Sequence, residues 1–318
     1  MRRRTRTRSF PLPGVSVGHA AESAHSSGVT ALVFDRPTRV VAQVRGPASG
    51  TYDVASLEVT STFGLRDSLF FSGGSLYGLD AARGIRTRLL ELGRGAPALG
   101  SAWPLPRISG AILFDLPRVV TSLPEYLALG YQAASDVRPG LGGSGRIGAG
   151  TGARIAKYAG AASSLPGGIG VAQCPLEGGD RLGVLAVFNS GGALRDPVTG
   201  EWIRTARGLR GRAIYPGPVR RTRRRAGTPA STTLLFVVTD RAYDRRDLAR
   251  LAGYAQDAVA RTVIPAGTAF EGDVVFAAST AARSRPEANP MERAGELDSV
   301  GFALTELLRQ AARAAVAP

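Results

Sequence analysis

Arg220–Asp240 reads RRTRRRAGTPASTTLLFVVTD and changes character twice. Five arginines come first, followed by the small and turn-forming residues Ala226–Ser231. Thr232-Thr233 then runs straight into Leu234–Val238, a β-branched, aromatic and aliphatic segment. A short apolar run of this composition, bounded by turn signals, predicts a buried strand entered at Thr232. Two readings of the junction are open. In one, hydroxyl residues simply lead a loop into a core strand. In the other, the Ser231–Thr232 peptide bond is held where the threonine hydroxyl can attack the carbonyl before it.

The rest of the chain limits the chemistry available. At 318 residues it is long enough for one large domain or two ordinary ones, with 44% hydrophobic and 20% charged residues, both ordinary globular values. The 41 glycines and 20 prolines predict short elements joined by tight turns. One cysteine, Cys174, leaves no internal disulfide framework and no multi-cysteine metal site. With only His19 and His25, a Ser-His-Asp triad or a zinc site is not supported, and no metal or cofactor is expected. The net charge of +15 raises the question of nucleic acid, but the charge is unevenly spread. Between Trp202 and Thr239 lie nine arginines and no acid, interleaved with Gly208, Gly211, Pro216, Pro218, Gly227 and Pro229. This composition reads as an exposed connector, with no helix-turn-helix or RNP pattern beside it. Neither an apolar segment after the basic start nor a membrane-length apolar run is found, so a soluble cytoplasmic protein is expected. Among forty basic residues Lys157 is the single lysine, and Asn189 and Asn289 are the only asparagines.

In order, the sequence predicts strands at Val15–His19, Val29–Phe34 and Arg39–Val44, the last two joined by a hairpin turn at Asp35-Arg-Pro-Thr. A short strand at Ser56–Thr60, a glycine-rich corner at Phe70–Gly78 and a helix over Leu76–Leu92 follow. Further strands are expected at Gly110–Asp115, Val171–Cys174, Leu182–Phe188, Thr232–Val238 and Asp273–Ser279. Helices are expected from Pro124 to Ala134, Asp244 to Val263 and Glu296 to Val316. Strands and helices mix without a strict βαβ rhythm, which predicts a layered α+β fold. Gly143–Gly148 matches G-x-G-x-x-G, but no apolar strand precedes it and no helix opens after it, so a dinucleotide site is rejected.

Five motifs in order carry a family resemblance: FPLPGVSVGH at Phe10–His19, SGGSLYGLD at Ser72–Asp80, GAGTGARIAK at Gly148–Lys157, VFNS at Val187–Ser190 and STTLLFVVTD at Ser231–Asp240. Together they resemble the DmpA-type aminopeptidases and nylon-oligomer hydrolases, which belong with ornithine acetyltransferase in one self-cleaving superfamily. The resemblance implies a four-layer αββα sandwich in a single catalytic domain, 1–318, cut into 1–231 and 232–318. It implies Thr232 as nucleophile, Lys157 and Asn189 as its partners, Glu271 and Asp273 as the acids behind it, and substrate contacts from Tyr77, Phe114 and Asp115. A freed Thr232 α-amine has an ordinary pKa near 8 and can act as the base for its own hydroxyl. The expected substrate is a small or oligomeric amide, and the expected state is a homo-oligomer of processed pairs, with no specific nucleic acid or membrane partner.

Two positions depart from the family pattern. Many members place a tyrosine where this chain has Phe114, which has no hydroxyl to offer an oxyanion. The aminopeptidase members place an acid two residues earlier, where this chain has Ile112. N-acylated or internal amides are therefore expected as substrates alongside aminoacyl amides. The other readings are an aminopeptidase needing a free N-terminus, an acyltransferase of the ornithine acetyltransferase type, and a basic binding module built on the arginine connector.

Overall fold

The computed structural model describes residues 11–97, 100, 102–116, 122–140, 142–159, 164–206, 230–282 and 289–317. The basic arm and most of the arginine connector lie outside the described residues. The principal strands are β1 (Val15–Glu22), β2 (Ser27–Val44), β3 (Gly50–Tyr52), β4 (Leu65–Ser72), β5 (Ile108–Ile112), β6 (Gly168–Pro175), β7 (Arg181–Asn189), β8 (Thr232–Thr239) and β9 (Val274–Ser279). The helices are α1 (Ala81–Glu91), α2 (Tyr126–Ser135), α3 (Arg245–Thr262) and α4 (Pro290–Ala315).

The strands form one hydrogen-bonded sheet that doubles back at β2. The first half of β2 pairs with β1 and β4, which continues through β5 to β3. Its second half pairs with β9, which continues through β8 and β7 to β6. The two halves face one another. Leu32, Phe34 and Phe71 from one side meet Leu185, Leu234, Phe236 and Phe276 from the other. Ring pairs Phe34–Phe236 and Phe71–Phe276, with centroids 6.0 and 6.1 Å apart, bridge the layers. Helices α1 and α2 cover the outer face of the first half, and α3 and α4 that of the second. This is the expected αββα sandwich.

Strand β8 shows why the sequence predicts it so well. All eight residues are buried. Leu234, Phe236 and Val238 point between the sheets, while Leu235 and Val237 point at α3 and α4. A strand covered on both faces needs apolar residues at every position, so it has no polar alternation. Helix α3 begins at a capping box in which Asp244 accepts from the N–H groups of Arg246 and Asp247 while Asp247 accepts from that of Asp244. Among the described residues no helix is long and apolar enough to cross a membrane.

The structure corrects four local expectations. Asp35-Arg-Pro-Thr is not a hairpin turn. The chain stays extended through it, and the pairing register with β4 shifts between Val33 and Thr38. That irregularity lets one strand serve both halves of the sheet. Ser56–Thr60 is not a strand, since Ala55–Leu57 forms a single 3-10 turn. The strand in this region is β4, whose end had been read as part of the glycine-rich corner. The helix expected from Leu76 starts only at Ala81, after a 3-10 turn over Ser75–Asp80. Helix α4 begins at Pro290, six residues before its expected start, capped by the Asn289 side chain accepting from the Met291 N–H.

Candidate active site

Thr232 opens β8 directly opposite Asn189, the last residue of β7, and is 4% exposed. One residue earlier the chain is already aligned. The Ser231 N–H donates to the Phe270 carbonyl at 3.0 Å, and the Ser231 carbonyl accepts from the Gly272 N–H at 2.7 Å. Ser231 thus pairs in parallel with Glu271, at the same offset as Leu234 with Val274 further along. The ladder between β8 and the β9 segment therefore starts one residue ahead of Thr232.

Lys157 reaches this junction from the glycine-rich stretch. Its backbone is clamped to the turn after Asn189: Ala156 N–H donates to the Gly192 carbonyl at 2.8 Å and Tyr158 N–H to that of Gly191 at 3.0 Å. The side chain is buried, and its Nζ donates to the Ala230 carbonyl at 2.9 Å. Burial lowers the Lys157 pKa to about 7, against the opposing pull of Glu271 and Asp115, while Arg154 lowers it further. Asn189 joins three segments. Its Oδ1 accepts from the Arg154 N–H at 3.0 Å and its Nδ2 donates to the Phe114 carbonyl at 3.1 Å. One Nδ2 hydrogen is committed there and the second remains for the site.

The two acids flank Gly272. Glu271 is fully buried; its Oε1 accepts from the Gly191 N–H at 3.1 Å, and its Oε2 has no hydrogen-bond partner among the described residues. Burial, then the neighbouring Asp273, push its pKa up to about 8 against the Gly191 N–H and Lys157. Asp273 accepts from the Thr233 N–H at 2.7 Å, and burial raises its pKa too. Gly272 between them is dictated by space: a β-carbon there would sit 2.9 Å from Thr232 Oγ1 and 2.9 Å from the Ala48 carbonyl oxygen. The Glu-Gly-Asp triplet at 271–273 is the sequence signal for this contact, with the glycine as informative as its two acids.

Thr232, Lys157, Asn189, Glu271 and Asp273 are thus gathered around one peptide bond. The three residues expected at the substrate divide. Asp115 lies at the edge of the cluster, its Oδ1 accepting from the Gly74 N–H at 2.8 Å. Burial raises its pKa to about 6 against that N–H, the Ser27 hydroxyl and the charge of Lys157. Phe114 contributes its carbonyl to Asn189, while its side chain stays exposed. Tyr77 is exposed on the 3-10 turn, and no hydrogen bond or ring contact ties it to the cluster. Ile112 lies two residues before Phe114, at the end of β5. Its side chain is buried in the core beneath α1 and α2.

Solved structures that share the fold include a β-aminopeptidase from Burkholderia sp. and the L-aminopeptidase D-Ala-esterase/amidase from Ochrobactrum anthropi, described as a new variant among the Ntn-hydrolase folds. The first superposes with a TM-score of 0.66 at 21% identity over 96% of this chain and 84% of the other. The second gives 0.66 at 22% identity, over 96% and 86%. The chain belongs to peptidase family S58, whose model matches residues 11–317. It is 32% identical over 291 residues to an uncharacterised aminopeptidase of Mycobacterium tuberculosis (strain ATCC 25618 / H37Rv), covering 86% of this chain and 81% of that protein. It is 26% identical over 280 residues to the 6-aminohexanoate-oligomer endohydrolase of Kocuria sp. (strain KY2), covering 86% and 75%. The protein is an amide-bond hydrolase of the DmpA type.

Proposed function

We propose that Thr232 is the nucleophile, that it cuts the Ser231–Thr232 bond to give chains 1–231 and 232–318, and that the mature protein hydrolyses amides through a Thr232 ester. The observation that carries this reading is the Gly272 N–H, already aimed at the Ser231 carbonyl oxygen at 2.7 Å. A donor in that position stabilises the negative charge that forms when the carbonyl is attacked.

The steps follow from the groups present. Before the cut the Thr232 nitrogen is an amide and cannot act as a base. Lys157, lowered to about 7, is partly uncharged at neutral pH. A neutral amine keeps hydrogens for the Ala230 carbonyl and still presents a lone pair for the Thr232 hydroxyl proton. The oxygen adds to the Ser231 carbonyl carbon, the C–N bond breaks as the nitrogen takes a proton, and water hydrolyses the resulting ester. The cut frees the Thr232 α-amine, which then serves as base for its own hydroxyl. A substrate amide repeats the sequence: attack, protonation and loss of the amine, then hydrolysis of the ester. The second Asn189 Nδ2 hydrogen supplies a further donor for the oxyanion. Substrates are small or oligomeric amides, blocked or internal ones included.

Intact mass and N-terminal sequencing test this directly. The expected result is two chains, the smaller beginning at Thr232, and a single uncut chain for Thr232→Ala. A smaller chain starting at any other residue would move the nucleophile and sink the assignment.

A further inference from the structure

The ladder that starts one residue ahead of Thr232 has a consequence for the substrate. Ser231 is 1% exposed and held as a strand residue, its N–H on the Phe270 carbonyl and its carbonyl on the Gly272 N–H. The Ala230 carbonyl, one residue further back, receives Lys157 Nζ. In self-cleavage the Ser231 carbonyl carbon passes from the nitrogen to the hydroxyl oxygen of the same residue. Both atoms share a five-membered ring with that carbon in the intermediate, so the remainder of the acyl residue stays where the ladder holds it. The ester formed in maturation is chemically an acyl-enzyme whose acyl group is Ser231.

Hydrolysis of that ester ends the covalent hold on Ser231 and Ala230, which can then leave these contacts. The receiving segment is braced from its other side. Ala48 N–H donates to the Glu271 carbonyl at 3.1 Å, and Arg45 N–H to the Asp273 carbonyl at 3.0 Å. The Phe270 carbonyl and the Gly272 N–H are therefore fixed in position for a new strand residue. Buried main-chain groups of this kind favour an occupant that restores their hydrogen bonds.

Building on the assignment of Thr232 as nucleophile, we infer that the acyl half of the substrate refills this one-residue ladder: an N-acylated α-amino acyl group with a small side chain. Its N–H donates to the Phe270 carbonyl and its scissile carbonyl accepts from the Gly272 N–H. The carbonyl of its N-acyl group takes the place of the Ala230 carbonyl on Lys157. This is strand addition reduced to one residue, with specificity written mainly in the main chain. A free α-amine fits poorly, because it offers no carbonyl to Lys157 and brings a positive charge toward it. A large side chain fits poorly as well, because Ser231 fills its place with almost no exposed surface.

The test uses the processed protein and four p-nitroanilides: N-acetyl-L-alanine, L-alanine, N-acetyl-L-leucine, and O-acetyl-L-lactic acid, in which oxygen replaces the N–H. The expected order places N-acetyl-L-alanine first in kcat/KM. The lactic analogue should fall by roughly tenfold or more, the effect of one hydrogen bond to a buried acceptor. The free L-alanine and N-acetyl-L-leucine compounds should each fall by a similar factor or more. If the lactic analogue matches the alanine compound, the Phe270 slot is unused and the inference is overturned. It is equally overturned if a processed protein prefers free L-alanine or cuts none of the four, while the Thr232 cut itself stands. An uncut chain would instead remove the nucleophile assignment on which the inference rests.

Discussion

Among the described residues two carboxyl side chains, Asp196 and Glu271, are completely buried, and they are treated in opposite ways. Asp196 lies on the turn after residues 193–195, beside α4. Its Oδ1 accepts from the N–H groups of Val198 and Thr199 at 2.9 and 3.2 Å, and its Oδ2 from Arg309 and Arg313 at 3.3 and 2.6 Å. Burial works to raise its pKa, yet Arg313, the two N–H groups and Arg309 together hold it well below the usual carboxylate range. Glu271 has one N–H on one oxygen and no partner on the other among the described residues, and its pKa is pushed up to about 8. The nearby Lys157 amine acts on it only through space, opposing the effect of burial. Where a buried charge serves the fold, its bonds are complete. Where it lies beside the Ser231–Thr232 bond, they are left incomplete, which keeps a proton movable near neutral pH.

The largest effect expected from disturbing the incomplete cluster is at Lys157. Lys157→Met should fold and remain largely uncut, read as one chain on a denaturing gel. Lys157→Arg should also remain uncut, since arginine keeps its proton at neutral pH. Normal maturation of the arginine variant would remove the base role and leave only the charge.

A smaller effect follows from pH. Below about 7 Lys157 is charged and has no lone pair to accept the hydroxyl proton; above it the amine is neutral. Freshly translated precursor, followed by gel at a series of pH values, should cut about tenfold more slowly per unit below that point and level off above it. A rate that is flat from pH 5 to 7 removes a base of this pKa.

The smallest effects separate the two carboxyls by stability, measured in Thr232→Ala precursors so that cutting does not intervene. Asp196 has a lowered folded pKa, so its contribution is present above the ordinary carboxylate pKa and lost as pH falls. Asp196→Asn should therefore destabilise near neutrality, by roughly 2–3 kcal/mol, less than for a wholly buried pair because Arg313 is half exposed. The loss should shrink on acidification. Glu271 has a raised folded pKa, so stability is lost as pH climbs from the ordinary carboxylate value to about 8 and is level above it. Glu271→Gln should be close to neutral in acid and relatively stabilising at pH 8 and above. Denaturant midpoints with the same pH trend for both variants would break the comparison.

The sequence carries a large part of this in local form. Leu234–Val238 announces a doubly covered strand, and the scarcity of lysine and asparagine singles out Lys157 and Asn189. The parts that were not legible are the long-range ones. Nothing near Ser231 shows that it will be aligned with Glu271, because that pairing is set by the sheet order that puts β8 beside β9. Nothing in Ile108–Ile112 shows which way Ile112 will point without knowing which face α1 and α2 cover. The bend in β2 misled through turn chemistry: Asp-Arg-Pro-Thr is a fair hairpin signal, overridden here because pairing partners on both sides hold the chain extended.

The order of strands has a consequence for permanence. β8 and β9, which belong to the segment after Ser231, lie side by side with β7 on one flank and β2 on the other, both from the segment before it. A cut between Ser231 and Thr232 leaves the shorter chain laced into the longer one along two full hydrogen-bonded borders. The two segments cannot part without opening the second sheet layer, which takes β6, β7 and the end of β2 from one and β8 and β9 from the other. On the proposed cut, folding would come before cutting, and the processed protein would keep a shape that only the uncut chain had the means to find.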